Sequence, residues 1–200
     1  MARHLEIFFD VVSPYSYLAT TQIDALAARH DAEVQWRPFF LGGVMKATGN
    51  QPPAMLPARA PYLLKDIHRW AAKYDVPLKF PKIFPANTLM PQRMLAALEL
   101  EAPDDVRRLA AGFFSLYWAE GGDPTASEVL VARANELGFE GPRLLAAAGR
   151  EDVKEHLKTT TNEAVGRGAF GAPSIFFEGE MYFGNDRLVL LEDALERSKV

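Results

Sequence analysis

Cysteine is absent from the 200-residue chain. That excludes thiol nucleophiles, thiolate metal sites and disulfide exchange by its own side chains, so any sulfur chemistry must use a borrowed thiol. A basic excess is missing too. The formal net charge is -4 and Lys and Arg are scattered along the chain, which offers phosphates no field and points away from nucleic acid as a partner. No stretch approaches the roughly 20 apolar residues that span a bilayer. The opening Met1-Ala2-Arg3-His4-Leu5-Glu6 leads into an apolar run too short and too charged for a secretory signal. A cytoplasmic protein with no membrane partner is the expectation. His4, His30, His68 and His156 lie far apart without ligand spacing, so no metal is expected. The nucleophile elbow G-x-S-x-G is also absent, which leaves no serine-hydrolase signature.

What is present begins with a compact apolar run, Leu5 to Phe9, ended by the turn chemistry of Asp10-Val11-Val12-Ser13-Pro14. This predicts a buried first strand. Ser13 then suits a helix N-cap and Pro14 the first helical position, with apolar residues at helical spacing from Tyr17 to about His30. Glu33 to Phe40 alternates as a second strand ending at Leu41-Gly42-Gly43, so the chain opens as β-α-β. Residues 45–60, rich in proline, read as an irregular loop. Helices are expected from Pro61 to Tyr74, with Leu64, Ile67, Trp70, Ala71 and Tyr74 on one face, and over 91–101, 103–120, 125–137, 142–148 and 152–165. Ser174 to Phe177 and Met181 to Phe183 predict a hairpin, and Leu188 to Ser198 a final amphipathic helix. The fold class is α/β. Gly166-Arg167-Gly168-Ala169-Phe170-Gly171 spells G-x-G-x-x-G, but it precedes a strand instead of joining a strand to a helix, so it is no dinucleotide site.

Ser13-Pro14-Tyr15-Ser16, following Phe8-Phe9-Asp10-Val11-Val12, resembles the active-site turn of kappa-class glutathione transferases and 2-hydroxychromene-2-carboxylate isomerases. Both families resemble the DsbA-type oxidoreductases, where a Cys-x-x-Cys occupies this turn; here serine replaces both cysteines. The similarity continues through Pro38-Phe39-Phe40-Leu41-Gly42, Gly49-Asn50-Gln51-Pro52-Pro53, Phe170-Gly171-Ala172-Pro173 and Phe183-Gly184-Asn185-Asp186-Arg187-Leu188, and so covers essentially the whole chain. It implies a thioredoxin-like fold, β-α-β then β-β-α, formed by residues 1–41 and 159–200 and interrupted by an all-helical insert over 42–158.

The resemblance further implies glutathione as cofactor, a small aromatic carboxylate as substrate, and a homodimer. Glutathione contacts would fall on Ser13, Pro14, Tyr15, Asn50, Arg59, Ala172, Pro173, Asn185, Asp186 and Arg187. Lys46 and Asn87 would face the substrate. In these families Ala172-Pro173 would be cis and would present the Ala172 backbone to an extended peptide. A free thiol is only a few per cent ionised at neutral pH, and the Ser13 hydroxyl, at a helix start, is suited to donate to a bound thiolate. It equally suits a plain cap, as Ser16 suits the backbone of the first turn. Asn185 and Asp186 also suit capping of the last helix, and Lys46 a solvated surface. The Gly-Asn-Asp-Arg spelling is closer to the isomerases, whereas Gly-Asn-Gln-Pro-Pro is closer to the transferases. A glutathione-dependent isomerase is the leading expectation, with a conjugating transferase and a non-catalytic peptide-binding module as alternatives.

Overall fold

Leu5, Ile7 and Phe9 project from one face of the first strand into the larger core, while Phe8 projects from the other against Phe39, Val44, Ala164 and Phe176. Both faces of the sheet are therefore covered. A computed structural model describes residues 3–198. Strand β1 (Arg3–Phe9) pairs in parallel with β2 (Ala32–Pro38) and antiparallel with β3 (Ser174–Phe177), which pairs with β4 (Glu180–Phe183). The sheet order is β2-β1-β3-β4, and the register sets Ile7 between Trp36 and Ile175.

The expected single helix up to His30 is two, α1 (Pro14–Thr20) and α2 (Ile23–Arg29). The Thr20 and Thr21 hydroxyls donate back to the carbonyls of Tyr17 and Leu18, and this local alternative to helical bonding ends the first segment. The stretch expected to be irregular from residue 45 is partly helical: α3 spans Leu41–Thr48. Its glycine pair hid it, but Leu41 and Val44 bury against the sheet, and two early amide donors find remote acceptors. Leu41 N–H donates to Asp10 Oδ2 at 2.8 Å and Phe40 N–H to Thr161 Oγ1 at 3.0 Å.

Helix α4 (Ala60–Tyr74) buries Leu63, Ile67 and Ala71, whereas Leu64, expected on the inner face, is exposed. Then follow α5 (Leu89–Glu101), α6 (Val106–Phe114), α7 (Ser127–Glu136), α8 (Gly141–Ala147), α9 (Glu151–Gly166) and, after β4, α10 (Leu188–Arg197). Past α6 the backbone widens into one wide turn at Ser115–Ala119, where Trp118 turns inward and its indole N–H donates to the Val11 carbonyl at 2.8 Å. Arg37 on β2 ties the helices to the sheet through ion pairs to Glu6 on β1 (3.0 Å), Glu99 on α5 (2.9 Å) and Glu163 on α9 (2.8 Å). Among the described residues no helix is long and apolar enough to cross a membrane.

Candidate active site

The segment between β1 and α1 is held from four sides. Gln92 on α5, fully buried, donates from Nε2 to the carbonyls of Phe9 and Phe39, both at 2.8 Å, and accepts from Val11 N–H. Trp118 takes the Val11 carbonyl, and the Ser13 N–H closes a turn on the Asp10 carbonyl at 3.0 Å. Ser13 emerges as the N-cap of α1: its Oγ accepts from Ser16 N–H at 3.1 Å. The same oxygen donates to the Ala172 carbonyl at 2.9 Å, across 159 positions of sequence. Ala172-Pro173 is cis, as the resemblance implied. The cap and the approach to Ala172 thus coexist in one buried hydroxyl, 4% exposed.

Around this pair opens a cavity of about 1080 Å³, at the upper end of the usual ligand range of about 300–1,000 Å³. Its apolar wall includes Phe40, Met45, Leu63, Trp70 and Phe84. The polar lining includes Ser13, Tyr15, Asn50, Arg59, Asp66, Asn87, Asn185, Asp186 and Arg187. Ala172 is 7% exposed and its N–H has no partner among the described residues, nor does that of Tyr15.

The expected residues divide. Asn50 donates to the Phe170 carbonyl at 2.8 Å, which anchors its loop against the approach to Ala172. Tyr15 donates its phenol to Asp66 Oδ2 at 2.8 Å, and burial, then that hydrogen bond, hold its ionisation above the usual phenol range. Asp186 and Arg187 pair with each other on the rim. Asn185, 1% exposed, is occupied: its amide donates to the Tyr74 hydroxyl at 3.3 Å, and that hydroxyl donates to the Asn185 carbonyl at 3.2 Å. The turn before it is fixed to the cis bond by Gly184 N–H donating to the Pro173 carbonyl at 3.0 Å. Gly184 itself has φ +92°, and a Cβ there would meet Asp186 Oδ1 at 2.8 Å, so glycine is required. Asn87 lines the cavity while accepting from Leu89 N–H at 3.1 Å, and Arg59 lines it just before α4. Pro14 lines it; Pro173 lies behind Ala172 and does not.

Lys46 is a correction. It is exposed on α3 and does not line the cavity, because Leu41, Met45 and Thr48 take the inward face and Lys46 falls out of phase with them. Ser16 is buried and likewise outside the lining.

Three residues that line or brace the site were not singled out for it by the sequence. Asp10 is fully buried and lines the cavity, held by Thr88 Oγ1 at 2.6 Å and by the N–H groups of Val12 and Leu41. Burial pushes its carboxyl above the usual range, opposed by those three donors. Thr88 and Gln92, the other two, meet their partners only through the fold.

The family model for the DSBA-like thioredoxin domain matches residues 4–196. The chain belongs to that family. This DsbA-like protein is 34% identical to glutathione S-transferase kappa 1 of Rattus norvegicus, over 94% of this chain and 89% of the relative. It is 30% identical to 2-hydroxychromene-2-carboxylate isomerase of Sphingobium xenophagum, over 98% and 99% respectively. A solved 2-hydroxychromene-2-carboxylate isomerase superposes with a TM-score of 0.88 at 28% identity, covering 98% of this chain and 95% of that one. The chain is thus similar over nearly its whole length both to kappa-class glutathione transferases and to 2-hydroxychromene-2-carboxylate isomerases.

Proposed function

We propose that this protein is a glutathione-dependent isomerase acting on an aromatic carboxylate, with Ser13 holding the glutathione thiolate. The observation that carries this reading is the Ser13 hydroxyl set against the carbonyl of the cis-linked Ala172, in a cavity large enough for two ligands. Glutathione supplies a thiolate that adds to an unsaturated carbon, lets the weakened bond rotate and departs unconsumed.

The chain's own groups fit that task. The orphaned Ala172 N–H suits the carbonyl of an extended cysteinyl unit, and the Ala172 carbonyl can accept from its amide. Taking that carbonyl frees the Ser13 proton, which rotates toward the sulfur while Oγ keeps the Ser16 N–H bond. The Tyr15 N–H is a second donor to the same anion, since Pro14 has none. Asp186 would accept the γ-glutamyl ammonium, and Arg187 and Asn50 would border the rest of the tripeptide. The aromatic ring would lie on Trp70, Phe84 and Met45, its carboxylate toward Arg59 and its oxygens toward Asn87. Arg59 inherits the role expected of Lys46.

A kappa-type transferase is the second reading, favoured by the position of Lys46 outside the cavity and by the likeness to the rat enzyme. The two separate in one assay. With reduced glutathione present, the isomerase reading expects isomerisation of 2-hydroxychromene-2-carboxylate with no loss of glutathione. Accumulation of an aryl conjugate from a generic electrophile, without that isomerisation, would replace it with the transferase.

A further inference from the structure

Asp10 stands at the end of β1, three residues before Ser13, 0% exposed and lining the same cavity. Among the described residues it has no cationic partner. Its Oδ1 accepts from Val12 N–H at 3.0 Å and Thr88 Oγ1 at 2.6 Å, whereas Oδ2 accepts only from Leu41 N–H at 2.8 Å. One oxygen is saturated and the other keeps a free lone pair. A carboxylate placed so, without a counter-ion, is already disfavoured as an anion.

A second anion in that cavity meets it as a like charge in a poorly solvated space, and such pairs share a proton rather than ionise together. The other ionisable groups of the cavity do not relieve it. Tyr117, behind the lining with its hydroxyl between Ala86 N–H and the Ile83 carbonyl, is a phenol that burial keeps neutral, with Asp10 adding in the same direction. Tyr15 is likewise held neutral. On the rim, Asp66 is engaged by Tyr15, and Asp186 and Arg187 pair with each other, which leaves Arg59 as the rim cation.

We infer that Asp10 is the acceptor of the thiol proton: as the thiolate forms against Ser13, the proton passes to Asp10 Oδ2. The S–H bond breaks, the O–H bond forms, and the thiol–carboxylate pair carries one negative charge before and after. This rests on the glutathione reading above. The proton stays on Asp10 while the adduct rotates and the thiolate is expelled, and its return to sulfur completes the cycle without solvent.

The test counts protons. Reduced glutathione is titrated calorimetrically near neutral pH into the wild type and Asp10→Asn in buffers of different ionisation enthalpy, with thiolate formation followed by its ultraviolet absorbance. The wild type should form thiolate with about zero protons released, and Asp10→Asn should release about one per thiolate formed. Thr88→Val, which removes a donor to Oδ1 and so makes Asp10 hold its proton to higher pH, should raise the wild-type release at the same pH. That variant carries the test if Asp10→Asn does not fold. Equal proton release in all three proteins, with thiolate present, overturns the role of Asp10 alone; absence of binding to the wild type overturns the glutathione reading beneath it.

Discussion

At the scale of the residue, Ser13 caps α1 and, on the proposed reading, also donates to a bound thiolate, and the two tasks give different readouts. Ser13→Ala removes the cap, which costs about 1 kcal/mol of stability. It also removes a donor aimed at developing charge, which should lower kcat/KM by about 10²-fold, measured as initial rates with glutathione saturating. Asp10 makes a sign-specific prediction about pH. Its folded value is raised by burial above 3.8, so the stability its neutral form contributes is present below 3.8 and is lost as pH rises through the folded value. Asparagine at position 10 does not titrate. The melting temperature of Asp10→Asn should therefore gain on the wild type as pH rises across that window, and parallel profiles would contradict it. Ser13 as a helix cap was legible because turn and cap chemistry are local, whereas the cis Ala172-Pro173 came only from the family resemblance. Asp10 was visible only as a strand terminator, since its partners Leu41 and Thr88 lie 31 and 78 positions away.

At the scale of the element, the site depends on how β1, α3, α5 and the turn before α10 are locked together. Gln92 does most for the first three, and Gln92→Leu strands the carbonyl of Phe39 and the N–H of Val11 in the core, while the Phe9 carbonyl keeps only its bond from Phe39 N–H. Chemical denaturation should show a loss of about 3 kcal/mol, since each unsatisfied buried group costs about 1–3 kcal/mol. Gly184→Ala strains a left-handed position and pushes on Asp186; calorimetry should show glutathione affinity down about tenfold, the equivalent of 1.4 kcal/mol. The hairpin and most helices followed from period and punctuation, whereas α3 did not. Its glycine pair reads as a strand end, and the acceptors that satisfy Phe40 and Leu41 sit on α9 and after β1. Lys46 was expected in the site from the family resemblance alone, and the phase of α3, unknown without the helix, is what turns it away from the cavity.

For the whole molecule, a cysteine-free chain carries the DSBA-like thioredoxin scaffold, so on the proposed reading its reactive sulfur is another molecule's. A ligand that binds only the folded state must stabilise it, by about 2.7 kcal/mol at a hundred times its Kd. Reduced glutathione should thus raise the melting temperature, and S-methylglutathione, which keeps the peptide but has no ionisable thiol, should raise it less. The most direct test is titration of the wild type and Ser13→Ala with reduced glutathione, following ultraviolet thiolate absorbance as a function of pH. Saturable binding is expected, with thiolate appearing at lower pH on the wild type than in free glutathione and reverting toward the free value on Ser13→Ala. Failure of the wild type to bind, or identical thiolate titrations for the two proteins, would contradict the central claim that Ser13 holds another molecule's sulfur.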